Sequence, residues 1–243
     1  MKSIVKILAV ATVVLVLVFI LIRIQEPVLE IDLSEVEKVG LSRIVDISAD
    51  EITAVSIVGM RAEFTLQQIG DKFHFVGDPD ESKFDQDAAR LFVEAIAGLI
   101  PIGIVSPKIS DEDAGIGGYN LIVVTTTDHL AYEFRVGSQP MTNQIRAVRV
   151  IVRNSPAPEP SRIQAHIQAD QNFSAPDDPA QVDSSRKKFR EETYEEKLRQ
   201  HGEDERARMA IAERLTEEFA DKRYVISGDS YDAILPTRQD LMR

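Results

Sequence analysis

The sequence predicts an α+β protein: an N-terminal transmembrane helix, a largely antiparallel sheet with a packed helix, then a linker and a C-terminal charged helix. Three observations predict it. Residues 7–22, ILAVATVVLVLVFILI, carry no charge. Between residues 52 and 152, short segments alternate apolar and polar residues with the period of a strand, interrupted once by a helical pattern. Residues 186–223 are rich in Glu, Lys, Arg, Ala and Leu, all strong helix formers.

The apolar run is about 24 Å long as a helix. Ile4, Val5 and Ile24 extend it towards the thickness of a hydrocarbon core, and Lys6 and Arg23 can carry their charges out to the headgroups. A cleaved signal peptide needs a small-x-small site just past the apolar run. Here Ala9–Ala11 lies inside the run, and Arg23, Ile24, Gln25, Glu26 and Pro27 follow it. Residues 7–24 are therefore expected to be an uncleaved anchor whose partner is the lipid bilayer. Lys2 and Lys6 precede the run, whereas Arg23 is followed mostly by acids until Lys38. The positive-inside rule then places residues 1–6 in the cytoplasm. In a bacterium the body would lie in the periplasm, tethered to the inner membrane.

Composition removes several chemistries. The chain has 28 basic and 40 acidic residues, a net charge of -12, so nucleic acid is not an expected partner. It has no cysteine, which excludes thiolate nucleophiles and Cys-ligated metals. His74, His129, His166 and His201 are scattered and fit no zinc motif. No catalytic residue, metal ligand or cofactor is assigned, and the chain is read as a non-enzyme.

After a juxtamembrane connector (25–45), the body domain is expected over 46–154. Ile52–Gly59 and Ala62–Ile69 read as strands. Gly70 and Asp71 make a hairpin turn into Phe73-His74-Phe75, whose two aromatics share a face. Asp85 is placed to cap a helix running to about Ile100, with Leu91, Phe92, Ala95, Ile96 and Leu99 as its packing face and Pro101 as its stop. Ile102–Val105 is extended. Asp111–Asn120 (DEDAGIGGYN) is a Gly-rich turn: it lacks the full dinucleotide fingerprint and the P-loop lysine, and its acids miss the spacing of a calcium loop. Leu121–Thr127 and Leu130–Val136 form a hairpin about Asp128-His129. Gln144–Val152 is the last strand, and Arg146, Arg149 and Arg153 suit a basic sheet edge.

Composition changes at Ser155. Pro156, Pro158, Pro160, Pro176 and Pro179 lie in a polar stretch, read as a disordered linker over 155–184. Within it Ile163, Ala165 and Ile167 suggest a strand or docking peptide. A charged helix over 185–223 follows, divided by Gly202, with Glu195/Arg199, Asp204/Arg208 and Glu218/Lys222 at the favourable i, i+4 spacing. Its thin apolar stripe is Tyr194, Leu198, Ile211, Leu215 and Phe219. These five, with Tyr231 of the expected tail (224–243), are the candidate residues for binding a protein partner.

The segments ISADEITAVSI, FTLQQIGDKFHF, DQDAARLFVEAIAGL, DEDAGIGGYN and FRVG follow one another behind the apolar N-terminus. In that order they resemble the DUF4340 family of bacterial membrane-anchored envelope proteins, over about residues 46–154. The resemblance implies an extracytoplasmic α+β domain, some of whose relatives accompany export components, and it assigns no residue a role. The expected function is a scaffold or adaptor in a bacterial envelope complex. The alternative is an extracytoplasmic module binding a small ligand or envelope polymer.

Overall fold

The computed structural model describes residues 36–37, 42–59, 62–77, 84–138, 145–174 and 182–242. The expected anchor and most of the connector lie outside the described residues. Among the described residues no helix is long and apolar enough to cross a membrane.

Alternation along each segment builds one antiparallel sheet. Its strands are β1 (Val36–Glu37), β2 (Ile52–Val58), β3 (Glu63–Ile69), β4 (Lys72–Phe75), β5 (Gly103–Val105), β6 (Tyr119–Thr126), β7 (Leu130–Gly137), β8 (Arg146–Asn154) and β9 (Arg223–Ile226). They lie in the order β1-β5-β9-β8-β7-β6-β2-β3-β4, β1 being a two-residue strip at one edge. One face is the core: Ile57, Leu66, Ile122, Val124, Phe134, Val148 and Val150 are buried there. Helix α1 (Gln86–Ala97) lays Ala89, Phe92, Val93 and Ile96 on that face. Asp85 caps it as expected, its carboxylate accepting from the Asp87 and Ala88 amides at 3.0 and 3.1 Å.

Leu91 departs from the expected packing face and is 66% exposed. It is one helical step, about 100°, off the buried stripe, and it turns instead towards a shallow groove between α1 and the C-terminal α4 (Gly228–Ile234).

The larger corrections concern the C-terminal third. The stretch read as linker contains helix α2 (Arg162–Asn172). The charged helix, α3, runs unbroken over Val182–Phe219. Gly202 costs such a helix only about 1 kcal/mol relative to alanine, too little to divide it. The expected tail is core: β9 fits between β5 and β8, and Tyr224, Val225, Ile226, Tyr231, Ile234 and Leu235 are buried. The sheet therefore does not end at residue 154. β9 is four residues long, and its pairing spans some eighty positions of sequence from β8, beyond the reach of local pattern.

Two strand edges are satisfied by helix side chains. The Gln86 amide, on α1, accepts from the Phe73 N–H at 3.0 Å and donates to the Phe73 carbonyl at 2.7 Å, as a neighbouring strand would. β9 pairs with β8 only over Arg146–Arg149. Beyond it α3 takes the vacant edge, and the Thr216 hydroxyl accepts from the Val152 N–H at 3.2 Å and donates to its carbonyl at 2.6 Å. β8 is thus an interior strand with a covered extension. Its arginines do not form the bare basic edge that was expected: Arg149 pairs with Asp111, Arg153 with Glu133, and the Arg146 guanidinium lies 4.6 Å over the Tyr231 ring.

On the opposite face, the loop over residues 106–118 covers a small second cluster of Val105, Ala114, Ile116, Ala147 and Val225. Gly137 lies so close beneath it that a Cβ would sit 2.9 Å from the Gly115 carbonyl oxygen, and Gly115 itself has φ +77. The Gly-rich turn serves backbone contact, in keeping with its reading as a chain reversal. Asp111 fastens the loop to the sheet, accepting from Arg149 and, at 2.5 Å, from Arg223.

Two outcomes follow from these fastenings. Thr216→Val strands two buried backbone groups and is expected to lower unfolding free energy by about 1–3 kcal/mol in a denaturant titration; an unchanged midpoint would show that the β8 edge is satisfied by other means. For Asp111, burial alone would raise the carboxyl pKa, but the hydrogen bonds from Arg223 and Arg149 outweigh it and hold it below the ordinary value. Its stabilisation is therefore complete above the unfolded value of about 4 and lost as pH falls through the lower folded one. Asp111→Asn should remove that component from an acid-unfolding profile; superimposable profiles would exclude it.

Candidate functional site

Helix α3 is about 57 Å long, yet its buried residues, Ala212 and Phe219, both lie near its C-terminal end. That end packs on β8 and on the core. Among the described residues α2 packs along part of the preceding stretch, and β8 reaches α2 through the proline-containing stretch 155–161. The two helices run antiparallel as a charged hairpin.

Each contact along the hairpin joins residues distant in sequence. Arg162 of α2 donates to both oxygens of Glu191 at 2.8 and 2.6 Å. Asp170 receives Arg190, with Arg186 3.9 Å away. Phe173 and Phe189 stack at 5.9 Å, and Arg186 lies 5.4 Å over Phe173. Tyr194 takes Arg162 over its ring at 5.6 Å and the His166 ring at 6.5 Å. Ala165 and Ala169 are buried where the helices meet, and their small side chains permit close approach. An eleven-residue polar helix is marginal in isolation. This one forms because α3 supplies its charge partners, which is why composition alone reads it as a linker.

The hairpin is strongly ionic. The Arg190 hydrogen bond holds the Asp170 carboxyl below its ordinary pKa, and Arg199 does the same for Glu196. Arg199 bonds Glu196 at 2.6 Å and Glu203 at 2.7 Å, replacing the expected Glu195 partner. Lys222 and Glu218 pair at 3.7 Å as expected. Among the described residues no ion pair joins Arg208 to the expected Asp204, and the Arg208 Nε and Nη2 are buried without a hydrogen-bond partner there. Charge is also sorted along α3: Arg186, Lys187, Lys188 and Arg190 lead, and Glu191, Glu192, Glu195, Glu196, Glu203, Asp204 and Glu205 dominate the next turns.

The structure divides the six candidate residues. Tyr194 and Leu198 lie half-buried on the hairpin. Ile211 is 41% exposed and lines a groove of about 430 Å³ with Thr127, His129 and Arg208. Leu215 packs against the core, and Phe219 and Tyr231 are buried in it. Those last two cannot meet a partner from where they lie: Phe219 sits against Tyr224, and Tyr231 under Arg146. Ile163 and Ile167, read with Ala165 as a strand or docking peptide and not counted among the six, lie on the outer side of helix α2, 74% and 55% exposed, while Ala165 is buried. Their i, i+4 spacing was the available signal.

Among the described residues no group of three or more His, Cys, Asp or Glu side chains could hold a metal. His166 is 3.8 Å from Glu191, within the hairpin, and His129 occupies the β6–β7 turn with φ +58. The hairpin presents a charged surface. Comparison with protein-family models, with curated proteins and with solved structures finds no match to this chain.

Gly202 has open space around its position, so an added methyl group meets nothing. Gly202→Ala is expected to stabilise α3 by about 0.5–1 kcal/mol, measured as a rise in helical signal and unfolding midpoint. Destabilisation would mean that the helix needs freedom at that point.

Proposed function

We propose that this chain is a membrane-anchored, non-enzymatic scaffold or adaptor of a bacterial envelope complex, possessing a rigid arm that engages a protein partner. The observation carrying this reading is the α2–α3 hairpin, which extends from the sheet and is not consumed by the chain's own core. Most of α3 exposes ordered charge, and helices of this kind bind by complementary charge and a few apolar anchors. Tyr194, Leu198 and Ile211 are the anchors that remain available. Residues 7–24, charge-free over 7–22, supply the tether to the inner membrane, with the body in the periplasm, and the resemblance to DUF4340 proteins supports an envelope setting.

Truncation at residue 155 is unsuited to a test, because it removes β9 from the sheet and α4 from the core. Surface reversal on the full chain, Glu195→Lys with Glu205→Lys, leaves the core intact. In affinity capture from detergent-solubilised membranes, this variant is expected to lose proteins that the unaltered chain retains, while Glu63→Lys on β3 keeps them. An identical set of captured proteins would refute the arm. Release of the chain by alkaline carbonate would separately refute the tether.

A further inference from the structure

Arg208 differs from its neighbours on α3. Two other arginines of this helix offer one edge of the guanidinium, Nε with Nη2, to a carboxylate. Arg190 binds Asp170 in this way, with Nε at 2.8 Å, and Arg199 binds Glu196 at 2.9 and 2.6 Å. On Arg208 the same edge is buried and has no hydrogen-bond partner among the described residues. Buried donors without acceptors forfeit the bonds that water would have given them. Asp204, one turn back, stands at the spacing that favours a pair, yet its carboxylate does not fill the fork.

Arg208 lines the groove of about 430 Å³ between α3 and the β6–β7 turn. One wall is a single stripe of the helix, with Asp204, Arg208 and Ile211 at i, i+4 and i+7. The other is the turn, with Asp128 and Leu130. Both walls are fixed by the fold. Ala212, next to Ile211, is buried in the core, and Thr216, one turn further, is bonded to β8. In the turn, the His129 N–H donates to the Thr126 carbonyl at 3.0 Å, and the His129 carbonyl accepts from the Ser155 N–H at 2.7 Å. The groove is thus preformed, and its volume lies within the range of small-molecule sites, about 300–1,000 Å³.

We propose that this groove binds a free α-amino acid with an aliphatic side chain. The Arg208 side chain turns towards the groove that it lines and takes the ligand's carboxylate side-on, as Arg190 and Arg199 take theirs. Asp204 receives the ammonium group. Helix positions four apart have their Cβ atoms about 5–6 Å from each other, a span that one zwitterionic head bridges. Ile211 and Leu130 receive the aliphatic side chain. The charges of the groove choose this ligand over simpler ones. A plain carboxylate would meet Asp128 and Asp204 as like charges, and a plain cation would leave the Arg208 fork empty. The site shares only Ile211 with the anchors proposed for a protein partner, and its test reads a small molecule, so either reading can fail without the other.

The test is equilibrium dialysis of radiolabelled L-leucine against the full chain in neutral detergent micelles, with empty micelles as the blank. Saturable binding is expected, about tenfold weaker in Arg208→Gln, as loss of a close charge contact implies. Arg208→Lys, which keeps the charge but not the fork, should fall between the two. Arg214→Gln, at an exposed position of α3 outside the groove, should bind as the unaltered chain does. Unlabelled leucinamide and N-acetyl-leucine, each lacking one charge, and glycine, lacking the side chain, should all compete more weakly than leucine. Absence of saturable binding, equal binding by Arg208→Gln, or competition by leucinamide or N-acetyl-leucine as strong as by leucine would each overturn the proposal.

Discussion

Everything in this molecule depends on a four-residue strand. β9 lies between β5 and β8 and pairs with both, so the short β5 and the β1 strip beyond it are joined to the main sheet through it. Val225 is fully buried in the outer cluster, while Tyr224 and Ile226 are buried in the core on the other face. A strand buried on both sides, third from one edge of the sheet, draws the chain back after more than sixty residues of linker and helix. It therefore fixes where α3 must end and where α4 must begin.

That closure leaves a mismatch. β8 is nine residues long and β9 only four, so part of β8 has no strand partner. The chain fills the gap with the end of α3, and Thr216 presents one donor and one acceptor where another strand would have presented its backbone. Gln86 does the same for β4. An open edge with free N–H and C=O groups is a template for aggregation, and both repairs come from residues that begin or end a helix already packed nearby. Each costs the protein one ordered polar side chain in place of another strand.

Local pattern was a good guide where a segment's partner is a sequence neighbour. The β2–β3–β4 meander, the β6–β7 hairpin with its Asp128-His129 turn, and the Asp85 cap were all legible, because alternation, turn residues and capping chemistry act over a few positions. The failures share one cause. α2 is polar and follows prolines, and nothing in its composition shows that Glu191 and Arg190 will meet it across the hairpin. Tyr224 to Ile226 is too short to register as a strand, and Tyr231 read as an exposed anchor because its cover, Arg146, is eighty-five positions away. The same limit hid a row of arginines: Arg135, Arg149 and Arg223 look unrelated in sequence and become neighbours only through register.

The hairpin and the sheet are joined without a spacer. α3 passes into β9 through Ala220, Asp221 and Lys222, a turn closed by the Lys222 amide on the Phe219 carbonyl at 3.0 Å and by Phe219 packing against Tyr224 at 6.3 Å. With Thr216 bonded to β8 on one side of that turn and Arg223 bonded to Asp111 on the other, there is no slack at the joint. The direction of the hairpin is then set by the sheet, and a load on the arm is transmitted to the strand that carries Arg223. A flexible spacer would let the hairpin reorient on the sheet, whereas this short joint fastens it on both sides of the turn.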